Sequence, residues 1–231
     1  YLDVRLPCGG GIDLYVDVNV DRALLQRAIA LGRARRSFSL LFDPATTRSS
    51  LRVEEQNEQA KPGEFVRRFD PKLRIVLAGR GWEIVAMSQL AQTADVELVV
   101  ASQEPATLEF CRPYAHELIQ LTVPKATPKL PLDSHTAVAC LFHEHEWEGP
   151  LLLDALRSEA FYVGALGSRQ THRRRVEVLE ALGATADEIA RLKGPLGLFP
   201  SQDPRSLAVS ALAEIVMVRT TSGGAVKRGA P

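Results

Sequence analysis

The sequence predicts an α/β protein: a Rossmann-like, doubly wound parallel sheet with a smaller, N-terminally truncated α+β domain before it. Three observations predict it. Short, largely apolar runs at 73–77, 96–100 and 137–142 have the length and makeup of strands buried on both faces of a parallel sheet. Segments of helical length separate them, which gives a β-α alternation. A glycine turn, Gly79-Arg80-Gly81, stands between the first run and the first helix, where such sheets receive ligands.

The elements follow in order. Residues 1–70 form the smaller block, with strands expected over 2–6 and 12–18 around the turn Pro7-Cys8-Gly9-Gly10-Gly11. Starting at Tyr1 without a lead-in, the chain reads as the C-terminal portion of a longer one. Asp21 is suited to cap a helix over 22–32, whose Leu24, Leu25, Ile29 and Leu31 supply an apolar stripe. Strands are expected over 37–42 and 51–54, and the polar stretch 56–64 with Pro62-Gly63 reads as a loop. The larger block spans 71–220, with helices over 82–92 and between the later strands. Asp203 as N-cap and Pro204 at the first helical position open a last helix over 207–218. Residues 221–231 read as a disordered tail.

Composition narrows the function. Lys and Arg (28) balance Asp and Glu (28), which argues against broad binding to nucleic acid or a membrane surface. No apolar run is long enough to span a membrane as a helix, and no signal peptide is visible. Three cysteines far apart (Cys8, Cys111, Cys140) suit reduced thiols and a cytoplasmic setting.

Candidate sites cluster at turns. Tyr162-Val-Gly164-Ala-Leu-Gly167-Ser168-Arg169 leads from a strand into a basic helix. A helix start offers unpaired N–H groups and a positive dipole end, and Ser168 and Arg169 add a hydroxyl and a guanidinium fork suited to phosphate. The plainer reading is an ordinary βα turn with Arg169 solvated. Gly79 and Gly81 occupy two positions of G-x-G-x-x-G, but the third is Ile84. The place for a ribose-binding acid reads Ala101-Ser102-Gln103, which weakens NAD and leaves NADP or another phosphate ligand. Cys8, between proline and three glycines, is either a thiolate able to ligate a soft metal or a small packed residue. His143 and His145 could share one face of a strand end and bind a metal, although no further ligand set is evident. Arg173–Arg175 reads as a wet helix face from which one residue could reach the anion site. Glu214, in an apolar helix, either faces solvent or contacts a partner or cofactor. Neither G-x-S-x-G, H-E-x-x-H, Walker A nor C-x-x-C occurs.

Taken together, Pro7-Cys8-Gly9-Gly10, Ala78-Gly79-Arg80-Gly81, the 161–169 segment, Gly194-Pro195-Leu196-Gly197-Leu198 and the 203–215 segment resemble the XdhC/CoxI family, and they occur in its order. That family comprises accessory proteins of molybdenum hydroxylases such as xanthine dehydrogenase and CO dehydrogenase. The resemblance implies a maturation chaperone without turnover of its own. It would bind molybdenum cofactor, as molybdopterin or its cytidine dinucleotide form. It would protect the cofactor while a cysteine desulfurase supplies the sulfido ligand, and pass it to a client hydroxylase. It implies a homodimer, and a cofactor site drawn from Cys8, Gly79, Gly81, Gly164, Gly167, Ser168 and Arg169, with Cys8 touching the metal. Two departures stand out: the family's upstream G-G-x-x-E segment is missing, and Ala101-Ser102-Gln103 replaces its frequent Asp-x-Arg. The alternative is an NADP(H)-dependent oxidoreductase, with His143 as the best proton donor.

Overall fold

The computed structural model describes residues 20–53, 63–124, 129–142 and 145–222. It divides into two compact units after Pro71.

In the first unit, Asp21 caps helix α1 (Arg22–Arg33) by accepting from the Ala23 N–H, and Arg33 sits in the last turn. Both features suit the helix dipole. Strands β1 (Phe38–Asp43), β2 (Arg48–Val53) and β3 (Phe65–Phe69) form an antiparallel sheet with β1 in the centre. The pairing sets Phe38 opposite Phe69 and Phe42 opposite Phe65, and both ring pairs stack. The strand β3 falls just after the stretch expected to be a loop. The strands expected over 2–6 and 12–18, with Cys8 between them, lie outside the described residues.

The second unit contains β4 (Leu73–Gly79), α2 (Trp82–Ala91), β5 (Val96–Ser102), α3 (Pro105–Cys111) and β6 (Glu117–Gln120). It continues through β7 (Thr136–Leu141), α4 (His145–Arg157), β8 (Tyr162–Ala165), α5 (Arg169–Ala181), α6 (Ala186–Ala190), β9 (Leu192–Lys193) and α7 (Pro204–Ser222). The strands pair in parallel in the order β6-β5-β4-β7-β8-β9. The chain therefore reverses its direction of travel between β4 and β7, which is the doubly wound arrangement.

Strand periodicity divides the core in two. Ile75, Leu77, Leu98, Val100, Ala139 and Leu141 face α2 and α7, meeting Ile84, Met87, Ala208, Ala211 and Ile215. Their neighbours Val76, Ala78, Val99, Val138, Cys140 and Val163 face the other way, against Leu152, Ala155 and Leu156 of α4 and Leu179 of α5. Every residue of β4 and β7 is buried, as their runs predict. Arg74 interrupts the first run but stays buried, because Glu97 and Asp133 hold its guanidinium at 2.8 and 3.2 Å.

Asp203 does cap α7, accepting from the Ser206 N–H at 2.8 Å. The helix continues to Ser222, two residues into the expected tail; residues 223–231 lie outside the described set. Among the described residues, no helix is long and apolar enough to cross a membrane.

Candidate functional site

Both glycine turns lie at the C-terminal edge of the sheet, where each strand hands its chain to a helix. At the first, Gly79 has φ 145° and sits hard against β7: a Cβ there would come within 2.5 Å of the Leu141 carbonyl carbon. Close backbone packing therefore requires this glycine. Gly81 caps α2 with φ 90°, and its N–H donates to Thr107 Oγ1 at 3.1 Å. The Thr107 hydroxyl in turn donates to the Glu104 carboxylate, and the Glu83 carboxylate lies beside Gly81. This turn therefore has one N–H engaged and two carboxylates nearby.

The second turn differs. Gly164 is buried, and a Cβ on it would strike the Tyr162 hydroxyl and Leu196. Gly167 has φ 142°, and the Thr171 side chain packs directly over it. Ser168 caps α5: its Oγ accepts from the Thr171 N–H at 3.1 Å and lies 3.0 Å from Thr171 Oγ1. Helix geometry leaves the Arg169 and Gln170 N–H groups without an intrahelical acceptor. The first turn of α5 contains no acidic residue, and Arg169 is exposed. These features together make an open, electropositive helix start.

Beneath this turn the arginine run departs from expectation. Arg173 and Arg174 are exposed, but Arg175 is buried. Its Nη2 donates to the Leu166 carbonyl and lies 2.8 Å from Glu148 Oε1 of α4, both side chains being almost fully enclosed. Helical spacing explains the inward turn: Arg175 and Leu179 are one turn apart and are the two buried residues of α5. Two charges buried without each other would be costly, so each residue requires its partner. The Arg175 Nε and Nη1 atoms are buried with no hydrogen-bond partner among the described residues.

Two neighbours register this charge pair. Burial above all, then Glu148, pushes the Cys140 thiol well up, and Arg175 opposes them. Cys140 is thus a protonated core thiol, as is Cys111, whose burial also raises it. Burial and then Arg175 lower the pKa of His172, against a pull from Glu148. The His172 ring lies directly on Gly194, where no Cβ would fit.

Glu214 faces inward. Its Oε2 accepts from the Tyr162 hydroxyl at 2.5 Å and from the Gly197 N–H at 2.8 Å. Leu196 N–H donates to the Ala165 carbonyl at 3.0 Å. One carboxylate of α7 thus joins the 194–198 segment to β8, at the root of the second turn. Burial first, then the Glu214 carboxylate, push the Tyr162 phenol far up, so it stays a donor throughout the ordinary pH range. Tyr162→Phe is expected to cost about 1–3 kcal/mol, because it leaves a half-buried carboxylate short of a donor. Urea unfolding of the variant against the parent measures it.

The geometry brings Gly164, Gly167, Ser168 and Arg169 together and sets Gly79 and Gly81 at a separate turn. Cys8, His143 and Glu144 lie outside the described residues, as does the side chain of His145. Among the described residues, no cluster of three or more His, Cys, Asp or Glu could hold a metal.

The sequence model of the XdhC Rossmann domain matches residues 75–215. The chain is 29% identical over 220 residues to the molybdenum cofactor insertion chaperone PaoD of Escherichia coli (strain K12), a match over 95% of this chain and 63% of that protein. It is 25% identical over 160 residues to a probable xanthine dehydrogenase subunit of Bacillus subtilis (strain 168), a match over 67% of this chain and 46% of that one. It therefore spans less than two thirds of either relative. A crystal structure described as a xanthine dehydrogenase from Bacillus halodurans shares the fold at a TM-score of 0.67 and 20% identity. That likeness covers 91% of this chain and 67% of the other.

Proposed function

Because the chain belongs to the XdhC Rossmann-domain family, we propose that it helps mature a molybdenum hydroxylase by holding molybdenum cofactor. The phosphate end of the cofactor would seat at the start of α5. The observation behind this reading is the second turn itself, a helix start free of acidic residues, bearing Ser168 and Arg169. The likeness to a molybdenum cofactor insertion chaperone supports the choice of ligand.

The residues fit such a group in stated ways. Gly164 and Gly167 let Tyr162, Leu196 and Thr171 pack closely behind the turn, the Arg169 and Gln170 N–H groups and the Arg169 guanidinium would meet the phosphate, and Ser168 holds the helix start in shape. When bound, the cofactor supplies the molybdenum centre that the client enzyme uses. The family reading adds Cys8 as a thiolate contact to molybdenum and a cysteine desulfurase that delivers the sulfido ligand. It also adds a homodimer and a cytoplasmic setting. Gly79 and Gly81 belong to the same reading as cofactor-binding residues at the first turn. The cofactor would be molybdopterin or its cytidine dinucleotide form.

Thermal-shift titration of the whole chain tests this. A ligand that binds the folded state raises the melting temperature with dose. Molybdopterin is expected to raise it, and Arg169→Ala to weaken binding about tenfold or more, as for a lost charge-assisted hydrogen bond. A shift with NADPH and none with molybdopterin would replace this reading with the NADP(H) oxidoreductase.

A further inference from the structure

The second turn has a charge behind it as well as in front. Arg175 starts two turns into α5 and reaches back to the Leu166 carbonyl, at the origin of the turn. Long helical side chains lean toward the N-terminus in this way. The side chain is 2% exposed, yet only its Nη2 is engaged: Nε and Nη1 have no hydrogen-bond partner among the described residues. A guanidinium buried with unused donors is costly unless something answers it. Glu148, 3% exposed and 2.8 Å away, cancels much of its field.

We propose that the buried Arg175–Glu148 pair sets the affinity of the α5 anion site, with Arg175 attracting the anion and Glu148 holding that attraction down. This rests on the reading of the turn as the phosphate site. Arg175 is a positioning residue: it holds Leu166 and projects charge, and the exposed Arg169 makes the contact. In so dry a setting a charge acts at longer range than it would in water. At His172, one turn nearer the helix start, Arg175 lowers the pKa and Glu148 opposes it, in keeping with opposite effects of the two charges.

The pair makes a prediction that a purely structural role does not. Removing either partner lowers stability, but the two changes move anion affinity in opposite directions. With inorganic phosphate as probe and the full chain in a calorimeter, Arg175→Met is expected to bind about tenfold more weakly and Glu148→Gln about fivefold more tightly. Arg175→Lys, which keeps the charge, should retain most of the affinity and serves if the Met variant does not fold. Thermal unfolding of each variant is recorded alongside. If phosphate binds the parent, is lost in Arg169→Ala, and yet weakens in both Arg175→Met and Glu148→Gln, the charge-pair inference falls while the site stands. If the parent binds no phosphate, the reading of the turn falls, and the inference with it.

Discussion

Gly79→Ala is expected to destabilise the larger unit by about 3 kcal/mol, since rigid overpacking and a disfavoured backbone angle add together. The added methyl would meet the Leu141 carbonyl and the Phe142 N–H of the adjacent strand, and neither can move without parting β4 from β7. Gly81→Ala is the control. It too has a positive φ, but its nearest neighbour is the flexible Glu83 carboxylate at 3.2 Å, so a cost of about 1 kcal/mol is expected. Urea midpoints of the two variants measure the difference. Equal losses would mean that backbone angle alone, and not packing against β7, requires glycine at the first turn.

The second large effect concerns the buried pair. Arg175→Met or Glu148→Leu alone is expected to cost about 3–5 kcal/mol, because each takes from the other buried charge the ion pair at 2.8 Å. Together they remove both charges of the pair, and the double variant should be markedly more stable than either single one. The coupling from a double-mutant cycle reports the pair directly. Additive losses would show that the two side chains stabilise the protein independently of one another.

Much of the fold was legible in the sequence. The buried runs that became β4, β5 and β7, and the caps Asp21 and Asp203, are local signals, and local signals survive folding. What escaped was decided by contacts distant in sequence. Every residue of β3 is exposed, so Phe65-Val-Arg-Arg-Phe shows no inward face; β1 recruits it through backbone pairing and ring stacking. The strand β6 is four residues long at the sheet edge and leaves little pattern. At the site, the glycines of the second turn were visible because the turn is contiguous. Arg175 was hidden in a run of three arginines, and its partner stands on another helix. One signal could have found it: Arg175 falls one turn before Leu179, in line with the buried side of α5. The alternatives for Glu214 could not be decided from helix periodicity, because its donors Tyr162 and Gly197 come from other segments.

The return of α7 across the sheet has a consequence for how the protein is made. Chains leave the ribosome N-terminus first, and domains tend to complete as units. Here β4 and α2 emerge early, yet Ala208, Ala211 and Ile215, which help cover them, are translated after every strand of the sheet. Until they arrive, the side of the sheet that α2 and α7 share is only partly covered and the Tyr162 hydroxyl lacks its Glu214 acceptor. A nascent chain therefore completes the root of its second turn only when α7 has been synthesised. A chain cut short before Glu214 is expected to expose part of that apolar face and to aggregate more readily than the whole chain, as light scattering of the two would show.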